Sequence, residues 1–267
     1  MRIAWQSFVD PSQNAAYLER LEVYLNDIAD PGTTVKVSGL SPPDRDFGRL
    51  TEFRCAILAL DNALAAAERG FDAFVMGHFQ DPGLYDVRAS IDIPVIGAGE
   101  STLHWAAQLG RRLALVTIDP IFEVWHLEQA ERYGLRERIS HIVGMGAVPE
   151  DFAAAFAGDT AAFERMVESF CDLAAPLVQD GADVIIPAGV LPGLLLSQKF
   201  GLTVDHAPIV SCASVPLKCA EVAVKLKAMS GLGPSRGPSF ALAPPQAVTD
   251  FRDLVAKGRN DFDRPSE

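Results

Sequence analysis

Gly70-Phe-Asp-Ala-Phe-Val-Met-Gly-His-Phe-Gln-Asp-Pro-Gly-Leu84 decides how this chain is read. An apolar run, Ala73 to Met76, follows a Gly-Phe-Asp entry and is stopped by Gly77. A polar turn then begins at His78 and closes with Pro82-Gly83. Much later the chain repeats the plan as Gly181-Ala-Asp-Val-Ile-Ile-Pro-Ala-Gly-Val-Leu-Pro-Gly-Leu194. Both stretches share a Gly-x-Asp entry, a four-residue apolar run and a Pro-Gly-Leu exit. Each reads as a buried parallel strand passing through a turn into a helix. Ligands of open parallel sheets bind beyond the carboxyl ends of the strands. That places the chemistry at His78 to Gln80 and at Gly189 to Leu191.

Strand and helix patterns alternate outward from these two stretches. Ile3–Gln6, Thr34–Ser38, Phe74–Met76 and Pro94–Gly97 read as strands in the first part. Leu113–Val116, Ile139–Val143, Val184–Ile186 and Pro208–Val210 read as strands in the second. Helical spacing marks Asn14–Ile28, Thr51–Arg69, a turn near Tyr85, Ser101–Leu109, Ile121–Tyr133, Leu194–Phe200 and Pro216–Met229. A long helical region, Pro149–Val178, is expected to break at Gly158-Asp159-Thr160, with Thr160 as the cap. Ser41-Pro-Pro-Asp-Arg reads as a loop. After a Gly/Pro-rich link, 231–245, come an amphipathic stretch, Val248–Ala256, and a polar tail expected to fray.

The alternation restarts part-way. Arg2-Ile-Ala matches Arg112-Leu-Ala, and Ile93-Pro-Val-Ile-Gly matches Ala207-Pro-Ile-Val-Ser. The matches recur in the same order, setting Ser7 opposite Thr117 and Glu100 opposite Ser214. The expected fold is therefore α/β. Two pseudo-symmetric halves each hold a mainly parallel four-stranded sheet flanked by helices, with a cleft between them. Residues 1–110 with 211–267 form one lobe and 111–210 the other.

Bulk properties narrow the function. The 267 residues are 49% hydrophobic and 22% charged, an ordinary globular composition. A formal net charge of −12 lacks the basic footprint of a nucleic-acid partner. No apolar run approaches the ~20 residues of a membrane span, and Arg2–Trp5 reads as a strand rather than a signal peptide. Cys55, Cys171, Cys212 and Cys219 show no metal spacing and read as reduced thiols. A soluble cytoplasmic protein is expected, with a small-molecule substrate, no nucleic-acid or membrane partner, no metal and no cofactor. Whether it forms a homo-oligomer stays open.

Gly-Phe-Asp-Ala-Phe-Val, then Phe79-x-Asp-Pro-Gly-Leu84, then Pro94-Val-Ile-Gly-x-Gly-Glu100 resemble the aspartate/glutamate/hydantoin racemase superfamily, in its hydantoin and allantoin racemase branch. The resemblance covers about residues 1 to 228. It implies an enzyme with one cysteine on each half, acting on opposite faces of a substrate carbon. The first cysteine would immediately precede Phe-x-Asp-Pro-Gly, where this chain has His78. The second would follow the Gly-Ala-x-Val-Ile strand, where this chain has Gly189. None of the four cysteines maps onto either place; Cys212 comes nearest. The resemblance also makes Gln6, Ser7, Thr117 and Asp119 substrate-side hydrogen-bonding positions.

His78 is the leading acid/base candidate, because an imidazole exchanges protons near neutral pH. Glu100 is the second. It is read as an acid/base, as an orienter of His78, or as a charge at a helix start opened by Ser101 and Thr102. Asp81, before Pro82, reads as a turn former. Phe79 and Gln80 flank the substrate beside His78, and Gly189, Val190 and Leu191 make an apolar wall opposite. An ionisable group on one face only suits one-base isomerase, lyase or hydrolase chemistry on a small hydantoin-like ring or carboxylic acid. Two alternatives stay open: a hydantoin or amino-acid racemase with a non-cysteine acid/base pair, and a catalytically inactive two-lobed binding protein. His104 is expected to be packed, and His126, His141 and His206 to lie at the surface or in helix packing.

Overall fold

A computed structural model describes residues 1–43 and 47–257. Asp44 and Arg45 of the expected loop, and the expected polar tail, lie outside the described residues. The elements run β1 (Arg2–Gln6), α1 (Ala15–Ile28), β2 (Thr34–Ser38), α2 (Arg49–Glu68), β3 (Ala73–Met76), α3 (Leu84–Arg88), β4 (Val95–Gly97) and α4 (Ala98–Leu109). They continue with β5 (Leu113–Thr117), α5 (Phe122–Arg132), β6 (Ile139–Gly144), α6 (Ala153–Phe156), α7 (Thr160–Gln179), β7 (Val184–Ala188) and α8 (Val190–Ser197). The last are β8 (Thr203–Val204), β9 (Ala207–Pro208), α9 (Ser214–Ser230) and α10 (Pro245–Lys257).

Two parallel sheets form, in the orders β2-β1-β3-β4 and β6-β5-β7. The strands of the two quoted stretches, β3 and β7, are buried along their whole length, as unbroken apolar runs in parallel sheets must be. Ile3 pairs with Ala73 and Gln6 with Met76, so β1 and β3 end level. Thr117 pairs with Ala188, which does the same for β5 and β7. Sequence residues that follow each strand are thereby gathered at two neighbouring sheet edges.

The second sheet has three strands, where four were expected. Pro208–Val210 makes only a single parallel bridge, Ile209 to Ile185, and its start folds into a two-residue antiparallel ribbon with Thr203–Val204. Proline cannot donate to a ladder, which keeps this segment from extending as a strand. The long helical region breaks where expected, but the cap is Asp159 rather than Thr160: its Oδ1 accepts the Ala162 N–H at 3.0 Å.

A single apolar core runs through both sheets, from Ile3, Trp5 and Leu21 to Leu115, Ile185 and Leu194. Tyr17 of α1 and Phe156 of α6 meet inside it at 5.4 Å. A smaller core fills the space between the first sheet and α2, α3 and α10. Helix α9 packs on β3, β4 and α4, and α10 on α2.

Candidate active site

The site grows from the end of β3. A Cβ at Gly77 would sit 2.1 Å from Trp5 Nε1, so only glycine lets the chain pass there. The Gly77 N–H donates to Gln6 O at 2.8 Å. This close approach sets His78 beside the residues that follow β1: its ring stacks on Phe8 with centroids 4.5 Å apart. The turn then closes with Asp81 N–H on His78 O at 3.0 Å, and Asp81 adopts φ 52°. Asp is one of the residues that tolerate this region.

A cavity of about 70 Å³ lies between the strand ends. Ser7, His78, Phe79, Gln80, Gly189, Val190 and Leu191 line it, so these seven expected residues come together. Phe8, Val9, Tyr17, Phe47, Ile118, Phe122, Pro149 and Ala188 also line it and were not singled out from the sequence. They come from loops and from other elements, and apolar residues there carry no periodic signal. Phe47 meets Phe122 edge to face at 4.9 Å across the mouth.

His78 is partly buried, its side chain 18% exposed, with Nε2 3.5 Å from Oε1 of Glu52 on α2. That is within charge–charge reach, yet it lacks hydrogen-bond geometry, and Nε2 is a buried nitrogen without a hydrogen-bond partner among the described residues. Glu52 carries no sequence signal of a site, because only the packing of α2 on β3 brings it near.

The remaining expected residues stand elsewhere. The two guanidinium nitrogens of Arg88 clasp the Glu100 carboxylate, away from the cavity lining. The helix expected to open at Ser101 begins at Ala98. Its first-turn N–H groups, of Gly99 and Glu100, donate to the Asp81 carboxylate at 3.1 and 2.6 Å. They are therefore occupied by a side chain of the protein itself. Ser101 Oγ bonds back to Gly97 O. Gln6 is fully buried, its amide donating to Ser7, Ser38 and Gly39 carbonyls and accepting from Asn62. Asp119 Oδ1 accepts the Ile121 N–H at the start of α5.

Thr117 belongs to a buried polar chain that joins the two sheets. Its Oγ1 lies 3.0 Å from His126 Nε2, and His126 Nδ1 lies 3.2 Å from Gln129 Oε1. Gln129 Nε2 donates to Phe79 O and, at 3.3 Å, to Asp81. Tyr133 donates its phenol to Asp81 at 2.8 Å. Because the Gln129 amide nitrogen is thus engaged, its oxygen faces His126, which assigns the hydrogen to Nδ1. Burial holds His126 down at about 4, helped by the nearby His78, against the Gln129 hydrogen bond. Burial pushes Asp81 up to about 7, against the hydrogen bonds it accepts. Asp81 is thus more than a turn former: it ties α4 and α5 to the loop that carries His78. His126, expected at the surface or in helix packing, is fully buried, while His104 is exposed rather than packed.

Cys212 is also buried and lies behind the opposite wall. Its Sγ is 2.9 Å from Gly189 O, and burial pushes the thiol up to about 12. Tyr17, in the cavity, is held neutral chiefly by burial, with the Ser7 side chain in hydrogen-bonding reach. Among the described residues lining the cavity, His78 and Tyr17 have the only titratable side chains.

A family model described as Asp/Glu/Hydantoin racemase matches residues 8–194, well over half of the chain. The chain belongs to the Asp/Glu/hydantoin racemase family. Within the family it is similar to the hydantoin racemase of Pseudomonas sp. (strain NS671), 36% identical over 75 residues, which is 28% of this chain and 30% of that protein. It is similar over a longer span to the hydantoin racemase of Paenarthrobacter aurescens, 24% identical over 67% of this chain and 74% of the other. Allantoin racemase from Klebsiella pneumoniae superimposes with a TM-score of 0.73 at 22% identity, covering 91% of this chain and 94% of that one. These racemase-family neighbours share the α/β fold with parallel sheets. Among the described residues, no helix is long and apolar enough to cross a membrane.

Proposed function

We propose that this family member acts on a small hydantoin-like ring or carboxylic acid by one-base chemistry at His78. The observation that carries this reading is the asymmetry of the cavity. His78 stands on one side of it, and the other is walled by Ala188, Gly189, Val190 and Leu191, with Cys212 buried behind as a neutral thiol. Inversion of a stereocentre needs a proton removed on one face and supplied on the other. One imidazole suffices for exchange, tautomerisation or protonation on a single face, and for lyase or hydrolase steps that need one acid/base. General acid/base catalysis of this kind contributes roughly 10²–10⁴ in rate. In this reading His78 and Gly189 occupy the positions where the family's two cysteines would stand. Tyr17 and Ser7 supply neutral hydrogen bonds to a substrate oxygen. Glu100, held by Arg88, is assigned no proton transfer. The packing of α9 and α10 on the first sheet and α2 supports grouping the chain from 211 onward with residues 1–110 as one lobe.

The family membership and the hydantoin racemase relatives favour a second reading, racemisation in which Tyr17 or a water serves the face opposite His78. The experiment for the first reading is C–H exchange of a 5-monosubstituted hydantoin in D2O, followed by proton NMR. The wild type should wash out the C5 proton and His78→Asn should not. Equal exchange in both proteins would end the assignment to His78. Binding that shifts the melting temperature equally in both, with no turnover, would point to a binding protein.

A further inference from the structure

Glu52 stands directly behind His78. It lies in the first turn of α2, its side chain is 13% exposed, and Oε1 is 3.5 Å from His78 Nε2. Glu52 also lines a second cavity of about 260 Å³, whose rim includes the exposed Phe53. The neighbouring charge on the same turn, Arg49, is turned away: it pairs with both Glu128 oxygens at 2.8 Å and covers the Trp125 ring. Among the described residues, the Glu52 carboxylate has His78 as its one ion-pair partner.

We infer that Glu52 is the positioning residue of His78. Its carboxylate receives Nε2–H, which fixes the imidazole tautomer and leaves Nδ1 free to work on the substrate. This rests on the reading of His78 as the acid/base. In the step so arranged, the substrate C–H bond breaks and its electron pair stays on the substrate as an enolate. The proton moves to Nδ1. The Glu52 carboxylate balances the imidazolium, as the buried carboxylate does in a His-carboxylate pair. Catalytic hydrogen bonds are often long without substrate and tighten when it binds, which accommodates the 3.5 Å separation. Phe8, stacked on the ring, fixes its plane. The other titratable groups near His78 are Tyr17 from α1, His126 from α5 and Asp81 from its own loop. Among the described residues, none of these pairs with Nε2.

A favourable charge in the first turn of a helix is the bland alternative for Glu52, and two variants separate the roles. Glu52→Gln removes the charge but keeps the shape. Glu52→Leu removes the acceptor as well. Nitrogen-15 NMR of His78 reads the tautomer without any ligand, and hydantoin C–H exchange reads the chemistry. The wild type should show neutral His78 as the Nε2–H form, and Glu52→Leu should mix the tautomers. Glu52→Gln should lower kcat about 10²-fold with KM little changed, and Glu52→Asp should recover part of it. An Nδ1–H form in the wild type, or full rate and an unchanged tautomer in both variants, would overturn the inference while leaving His78 in place. If the wild type exchanges no hydantoin but the tautomer responds to Glu52→Leu, the pairing stands and the proposed substrate falls. Should the Leu variant not fold, the isosteric Gln and shortened Asp variants decide through kcat.

Discussion

Gly189 has φ 164° and ψ 141°, extended backbone that any residue adopts. A Cβ there would meet Pro192 at 3.3 Å and Ile118 at 3.4 Å, so neighbours need to give only a few tenths of an ångström. Glycine is therefore not imposed by the backbone; its effect is to leave the cavity wall bare. Gly189→Cys should fold and place a thiol across the cavity from His78. Its expected consequence is deuterium in both hands of a hydantoin product, where the wild type labels one. Chiral chromatography with mass detection measures this.

Asp81 and His126 make a second residue-scale case, with opposite signs. Burial raises Asp81 from 3.8 to about 7, so between those values the folded state holds a proton that the unfolded state has lost. Stability from this group is complete below about pH 4 and is lost as pH rises through 7. Its size is on the order of a few kcal/mol, from roughly 1.4 kcal/mol per unit. His126 is lowered from 6.5 to about 4, so its contribution is lost as pH falls through that window. Asp81→Asn keeps the positive φ tolerable and removes the titration. In urea unfolding, the stability difference between the variant and the wild type should move in the variant's favour from pH 4 to pH 7. A pH-independent difference would contradict a neutral, buried Asp81 at low pH.

At the scale of elements, α3 is short and the chain at its C-terminal end, Arg88 to Asp92, is held from outside. Arg236 donates to Arg88 O at 2.9 Å, Ile91 O at 3.0 Å and Asp92 Oδ1 at 2.7 Å. Phe240 packs on Tyr85 at 5.6 Å, and Ala243 N–H bonds Ala89 O. The Gly/Pro link is thus a strap across the helix whose Arg88 holds Glu100. Arg236→Ala should lower unfolding stability by about 1.5–3 kcal/mol, the range for hydrogen bonds to a charged group. Arg236→Lys should recover only part, since an ammonium lacks the planar fork that reaches these acceptors together. Denaturant midpoints of the three proteins check this.

The elements themselves were largely legible because each apolar run is bracketed by Gly, Pro or Asp. Ala73–Met76 and Val184–Ile186 needed nothing beyond their own residues to be read as buried strands, although the second runs on to Ala188. Pro208–Val210 misled because its apolar content resembles a strand while its proline withholds a ladder donor. The start of α4 was read at Ser101 because Gly97 and Gly99 look like loop. What starts the helix at Ala98 is Asp81, 17 residues earlier, accepting its first N–H groups. Such a partner is fixed by packing and leaves no periodic mark in the sequence. The same holds for Tyr17 and Phe47 at the cavity and for Glu52 behind His78.

Over the whole molecule, two sheets share the order second-first-third strand, and their strand ends meet at one cavity. The elements of the first sheet supply His78, Ser7 and Tyr17, with Glu52 behind His78. The second supplies Ile118, Phe122 and the bare wall at Gly189. The buried chain Thr117–His126–Gln129–Asp81 ties the halves at the base of this arrangement. The titratable side chains lining the cavity, His78 and Tyr17, thus lie beside the first sheet, and residues of the second shape and close the space. The most direct test is turnover of each enantiomer of a 5-monosubstituted hydantoin in D2O, with the deuterium content of each product hand measured separately. One-base chemistry at His78 predicts label entering a single hand, and none in His78→Asn. Label in both hands of the wild-type product, or labelling that survives His78→Asn, would contradict it.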